Sequence, residues 1–183
     1  MNIDDLQWPI TTLDFEATSL SNDSHPIEIG VARWEGPGGE ATTWSALIAP
    51  TDEWTARGSW SIQSQGIHGI SPDMLERGMD PRAVMALLND RCPIGTLAFC
   101  DGGRFDARWL SELATAADVE PRLHLGSWHR LIRCFDQEAA ARIRGHRAPH
   151  EIVHRAGPDA MDHIRALAIG LCVEEPVFRD LDA

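Results

Sequence analysis

Short apolar runs, alternating with single polar positions, fill the first fifty residues. Residues about 10–16, 27–35 and 41–49 each read as a β-strand. Turn formers separate them, Ser21-Asn22-Asp23-Ser24 first and Gly36-Pro37-Gly38-Gly39 second. Connections this short predict an antiparallel meander. An irregular segment bearing Trp54 and Trp60 follows. Ser71-Pro72-Asp73-Met74 then pairs a capping Ser with a Pro, a helix start, and another helix begins at Pro81.

Further along, strand and helix patterns alternate. Residues 96–100 form an apolar run ending at Asp101-Gly102-Gly103, after which 105–117 carries Trp109, Leu110 and Leu113 at helical spacing. Residues near 126–132 predict a fifth strand, 134–144 a helix, and 158–171 a last helix with Met161, Ile164, Leu167, Ala168 and Leu171 on one side. The order predicts an α/β fold with one mixed five-stranded sheet, three antiparallel strands and then parallel ones, flanked by helices. No repeat or linker interrupts it, so residues 1–183 read as one domain with its core at about 10–172 and short extensions at both ends.

Composition narrows the chemistry. With 43% hydrophobic and 24% charged residues the chain reads as an ordinary folded protein. Its acidic start and the lack of any apolar run near ~20 residues predict a soluble, cytoplasmic protein with no membrane partner. Cys92, Cys100, Cys134 and Cys172 are far apart and form no Cys-x-x-Cys pair, which predicts buried thiols rather than a zinc ribbon or a disulfide framework. All sixteen basic residues are Arg, and there is no Tyr. A chain without Lys can build neither a Walker-A phosphate loop nor a pyridoxal Schiff base.

The formal charge of −12 argues against coating a nucleic acid, yet residues 129–155 concentrate Arg130, Arg133, Arg142, Arg144, Arg147 and Arg155 against Asp136, Glu138 and Glu151. That stretch reads either as a solvated helix face or as a surface for phosphate.

Three places could do chemistry. Leu13-Asp14-Phe15-Glu16-Ala17-Thr18 puts two carboxylates at i and i+2 of a strand end, hence on one face. They form either a solvent-facing acidic edge or a site for a hard divalent cation such as Mg²⁺ or Mn²⁺. Asp106, behind Gly102-Gly103, is either a metal ligand or an acid complementing a helix dipole. His154 stands five residues before Asp159 in the first turn of the last helix, which suits a titratable base beside a metal-binding carboxylate and suits a plain helix cap as well. A zinc stripe of His146, His150 and His154 competes for the same histidine, but Pro149 interrupts any helix there.

In order and spacing, Asp14/Glu16, then Phe105-Asp106 after Gly102-Gly103, then His154 with Asp159, resemble the three motifs of the DnaQ-like, or DEDDh, 3′-to-5′ exonucleases. Pro26-Ile27-Glu28-Ile29-Gly30-Val31 and Ile67-His68-Gly69-Ile70-Ser71-Pro72-Asp73-Met74-Leu75 are similar to two supporting segments of that family. A sister group uses Tyr in place of the third-motif His, and this chain has no Tyr. Asp162 also follows His154, but only Asp159 keeps the family's gap.

The resemblance implies a ribonuclease-H-like exonuclease domain. It implies that Asp14, Glu16, Asp106 and Asp159 hold two divalent ions, Mg²⁺ or Mn²⁺, and that His154 takes a proton from the attacking water. The implied reaction is hydrolysis of the last phosphodiester at the 3′ end of single-stranded DNA or RNA, releasing nucleoside monophosphates. Ala17, Thr18, Leu20 and Phe105 fall at its terminal-nucleotide contacts, with Leu20 against the last base. Trimming of short RNA and a binding module with little activity are the alternatives. A homodimer, and a polymerase or repair partner, are open. The chain departs from the family pattern at Ala17 and Ser19, where Thr and Gly are frequent, and at Asp101-Gly102, where a His-Asn pair is usual.

Overall fold

A computed structural model describes residues 5–146 and 154–181 of the chain. The meander forms as patterned: β1 (Ile10–Ala17) pairs antiparallel with β2 (Pro26–Trp34), and β2 with β3 (Ala41–Leu47). Next come four helices, α1 (Asp52–Arg57), α2 (Ile62–His68), α3 (Pro72–Leu75) and α4 (Pro81–Arg91). The segment read as irregular thus contains two short helices, each opened by a hydroxyl. Thr51 accepts from the Trp54 N–H and Ser61 from the Ser64 N–H. Asp80 caps α4 in the same way.

Strand β4 (Leu97–Cys100) leads into α5 (Arg104–Ala117), followed by β5 (His124–Ser127), α6 (Trp128–Arg133), α7 (Gln137–His146), α8 (Ala156–Leu171) and β6 (Phe178–Asp180). The expected fifth strand at 126–132 is therefore mostly helix. Ser127 caps α6, and Trp128, Leu131 and Ile132 recur at i, i+3 and i+4, so they bury on one helical stripe.

Six strands, one more than expected, hydrogen-bond in the order β5-β4-β1-β2-β3-β6. The extra one, β6, lies parallel to β3 and has no buried residue of its own. It is held through backbone, as in the 2.8 Å bond from the Leu181 N–H to the Thr43 carbonyl.

Helices cover both faces of the sheet. On one face Leu13, Phe15, Ile29, Val31, Trp44 and Ala46 pack with Val84 and Leu88 of α4 and Leu110 and Leu113 of α5. On the other, Ile10, Ala32, Trp34 and Ala41 pack with Ile143 of α7 and Ala160, Ile164 and Leu167 of α8. Strand β2 is buried along nearly its whole length. Four tryptophans, 34, 44, 54 and 128, are among the largest fully buried side chains, so they serve the core. Of the cysteines, Cys92 and Cys100 are buried as expected, while Cys134 and Cys172 are exposed because they close helices α6 and α8.

The start of α8 touches the sheet where no side chain intervenes. Gly30 is the β2 partner of Asp14, and a Cβ built there would lie 2.1 Å from the Ala156 carbonyl carbon and 2.3 Å from the Gly157 nitrogen. Backbone cannot yield as a flexible side chain can, so Gly30 is required for helix and strand to meet. Gly157 faces the Ser45 side chain at 3.0 Å, a milder contact. Gly30→Ala is expected to cost roughly 2 kcal/mol or more, the overpacking range. Gly157→Ala costs less, because Ala regains about 1 kcal/mol of helix propensity. Urea denaturation of the two variants checks the order; an unchanged midpoint for Gly30→Ala would contradict it.

Candidate active site

Three element ends converge at the carboxyl end of β1. Alternation turns Leu13 and Phe15 toward α4 and α5, so Asp14 and Glu16 face the layer of α8. Asp106 sits in the first turn of α5, after the loop that leaves parallel strand β4. His154 precedes α8 and Asp159 lies in its first turn. Of the five residues picked from the sequence, Glu16, His154 and Asp159 come within ligand distance of one another, while Asp14 lies near enough to Glu16, Asp106 and Asp159 to feel their charges.

Glu16, His154 and Asp159 each offer one ligand atom within 4.8 Å of the others, a group able to hold a metal ion. His154 is about half exposed, and its Nδ1 lies 3.8 Å from Asp159 Oδ2. Asp162 is paired with Arg165 at 3.0 Å instead. His150 lies outside the described residues, as do Arg147 and Glu151 of the basic stretch. Within that stretch Arg142 pairs with Glu138 and also donates to the Gly170 carbonyl.

The electrostatics are those of a site short of positive charge. Burial, then the charges of Glu16, Asp106, Asp159 and Asp101, hold the Asp14 carboxyl well above the ordinary carboxylate range. Burial, then Asp159 and Glu28, push Glu16 up to about 8, against the pull of Arg155. Burial likewise raises Asp106 to about 6, with Asp101 adding to it, while the Cys100 thiol and the Gly102 backbone oppose. Asp106 Oδ2 is buried and has no hydrogen-bond partner among the described residues. Clustered hard oxygens and one imidazole fit a divalent metal ion.

Sequence reasoning missed the residues that hold this cluster. Glu28, buried in β2, receives both Nε and an Nη of Arg155 and also accepts the Ala156 N–H at 2.9 Å. Its carboxylate therefore fixes the entry of α8 directly after His154. His163, fully buried, donates from Nδ1 to the Asp159 carbonyl at 2.8 Å and points Nε2 at Asp101 Oδ2, 3.5 Å away. A charged residue inside the otherwise apolar run Pro26-Ile27-Glu28-Ile29 was a readable sign. His163 offered none, since it occupies an ordinary helical position.

Beside Glu16 lies a pocket of about 130 Å³ lined by Glu16, Ala17, Ser19, Leu20, Ile67 and His68. Leu20 is 67% exposed at its rim. His68 is held by the Ile70 N–H, which donates to its Nδ1 at 3.0 Å, so the neutral ring carries its proton on Nε2. Burial keeps that ring's pKa below the ordinary histidine value. Thr18 is buried, its hydroxyl accepting from the His25 N–H and its carbonyl from the Ser61 N–H. Phe105 is partly buried at the α5 start, its ring 5.7 Å from that of Trp109.

Raised carboxyl pKa values set a sign for stability. Glu16 titrates near 8 in the fold and near 4.5 unfolded, so its contribution is complete below about pH 4.5 and is lost as pH rises through 8. The metal-free protein is therefore expected to melt at progressively lower temperature from about pH 6.5 to about pH 8.5. Added Mn²⁺ should raise the melting temperature more at the upper end, because metal and proton compete for the same oxygens. Thermal melts with and without Mn²⁺ test this; a metal-free melting temperature that climbs over the interval would contradict it.

No family model and no curated protein matches the chain. Solved structures share its fold. The zinc-bound form of an E. coli exonuclease I complex with single-stranded DNA aligns with a TM-score of 0.62 at 14% identity, over 91% of this chain and 40% of the other. A 3′-exonuclease described in 3′-end-specific recognition of a histone mRNA stem-loop aligns at 0.63 and 15%, over 90% and 64%. A full-length 3′-exonuclease gives 0.63 and 16%, over 86% and 58%. The chain spans less than two-thirds of the length of each of these proteins. What it shares with them is an architecture: a mixed sheet, antiparallel and then parallel, between layers of helices, the ribonuclease-H-like fold of these exonuclease structures.

Proposed function

We propose that this chain is a metal-dependent 3′-to-5′ exonuclease that removes nucleoside monophosphates from the 3′ end of single-stranded DNA or RNA. One observation carries the reading: Asp14, Glu16, Asp106, His154 and Asp159 gather at one end of the sheet, in the fold that the exonuclease structures share.

Asp14, Glu16, Asp106 and Asp159 are the residues that would hold two divalent ions, Mg²⁺ or Mn²⁺. Bound there, the ions supply the charge that the acids lack, acidify a water and stabilise the departing oxyanion. His154, exposed enough to meet solvent and within 3.8 Å of Asp159, takes the proton of the attacking water and returns it to bulk. Asp159 orients that imidazole. The phosphorus–oxygen bond to the leaving 3′ oxygen breaks as the bond to the water oxygen forms, and the leaving oxyanion takes a proton from solvent, so the shortened strand ends in a 3′ hydroxyl and the mononucleotide keeps the phosphate. Leu20 and the adjoining pocket receive the terminal nucleotide.

Among substrates, short strands are favoured by the net charge of −12, which opposes a long run of phosphate contacts. Incubation with 5′-labelled single-stranded DNA and RNA, from dimers to about twenty nucleotides, tests the reading. The expected result is a ladder that shortens from the 3′ end with Mg²⁺ or Mn²⁺ and is absent with chelator. His154→Ala lowers the rate by about 10²–10⁴, the usual worth of a general base. Asp14→Asn is expected to abolish activity yet raise metal-free stability, since it removes one of the repelling charges. Intact polymers of both kinds, with Mn²⁺ bound and the fold retained, would overturn the assignment.

A further inference from the structure

From the pocket beside Glu16, a ladder of rings runs outward to the start of α5. Phe15 and Trp109 line the pocket. Their centroids are 6.5 Å apart, and Phe105 follows at 5.7 Å from Trp109. Two guanidinium groups stand over this outer end. Arg104 lies 5.0 Å from the Phe105 centroid, and Arg108 lies 5.6 Å from Phe105 and 5.9 Å from Trp109. They occupy positions i and i+4 of α5, on one face, on either side of the residue that supplies Asp106.

These cations differ from others near the site. Arg155 is bound by Glu28, and Arg57 is bound by Glu112 at 2.7 Å and by Glu53. Arg108 donates to neutral oxygens, the Ser24 hydroxyl at 2.5 Å and Asn22 Oδ1 at 3.4 Å, and its charge also reaches Glu112, whose carboxyl it helps to hold below the ordinary range. It thereby ties α5 to the turn that follows Leu20. Arg104 is exposed and makes no ion pair among the described residues. A cation held over an aromatic face, with its charge unspent, is the pairing that single-stranded nucleic acid uses: the ring takes a base, the guanidinium a phosphate.

We infer that Arg104, Phe105 and Arg108 form a subsite for the nucleotides upstream of the scissile bond, with Arg104 the phosphate contact and Arg108 the brace that keeps the Leu20 turn against α5. The inference rests on the exonuclease reading for its strand direction, but the subsite binds single strands whether or not cleavage follows. Its work is electrostatic. The acids at the proposed metal site, Asp101 among them, repel an incoming backbone, and Arg104, two residues before Asp106 on α5, offers a positive charge to a phosphate further along the strand.

Arg104→Ala is the discriminating variant, since an exposed side chain can be removed without disturbing the core. Its binding to fluorescein-labelled oligo-dT of ten nucleotides, with Ca²⁺ in place of Mg²⁺, would be followed by anisotropy from about 25 to about 200 mM NaCl, beside the dinucleotide pTpT in competition. One lost phosphate contact lowers the slope of log affinity against log salt by about 0.7, which amounts to about a fivefold loss at 0.1 M salt. That loss is expected for the decamer, with less than about a twofold change for pTpT; Arg104→Lys keeps the slope. An unchanged slope, an equal loss on both ligands, or no decamer binding by the wild-type protein would each overturn the subsite. A parallel cleavage assay separates the two claims. Wild-type protein that binds with the predicted slope change but cuts neither DNA nor RNA retains the subsite and loses the nuclease reading; a wild-type ladder with an unchanged Arg104→Ala slope does the reverse.

Discussion

Carboxylates crowded at one end of a sheet repel one another, and much of this fold is arranged to keep them there. Asp14, Glu16, Asp106 and Asp159 come from three element ends far apart in sequence, with Asp101 beside them. Burial makes each charge costlier and pushes the carboxyls of Asp14, Glu16 and Asp106 upward. Two helix N-termini, those of α5 and α8, point their partial positive ends at the cluster, which offsets a fraction of the repulsion. On the proposed reading the rest is left for cations, and the instability of the empty cluster becomes affinity for metal.

Holding α8 in place against that repulsion takes a contact of its own. The Glu28–Arg155 pair crosses from the centre of the sheet to the residue after His154, and the same carboxylate caps the Ala156 N–H. Removing Arg155 costs about 3–5 kcal/mol, because the buried Glu28 charge is then stranded. Gly30 works alongside it by letting the helix backbone approach strand β2 opposite Asp14. A spacing that a methyl group would break and an ion pair with one charge of each sign together decide where His154 and Asp159 sit.

What was legible in the sequence follows from range. Asp14 and Glu16 could be placed on one face because strand alternation is local, and the first turns of α5 and α8 could be placed because glycine, proline and apolar spacing mark helix starts. The α6 boundary was misread since the apolar stripe of Trp128, Leu131 and Ile132 is too short to reveal its period. Helices α1 and α2 had caps in the sequence, Thr51 and Ser61, but only six and seven residues of helix behind them. Strand β6 has no pattern to read, as backbone alone pairs it with β3. Glu28 with Arg155, and His163 with Asp101, are contacts between distant segments whose meaning appears only when the sheet brings them together.

Charge distribution reconciles an acidic protein with the polyanionic substrate proposed for it. A net −12 opposes any long track of phosphates, and several arginines near or behind the site are already taken by Glu28, Glu112, Glu138 and Asp162. What is left uncommitted beside the proposed metal site is narrow: the exposed Arg104 over the Phe105 ring, with Arg108, over the same ring, shared with Glu112. A strand end can be held there over a few nucleotides, its terminal residue by the Leu20 pocket and its next phosphates by Arg104, while the remainder meets a repelling surface. On the proposed reading such a protein grips ends and releases bodies. Its affinity then saturates after a few nucleotides of length, and salt weakens it with a shallow slope, because few counterions are exchanged.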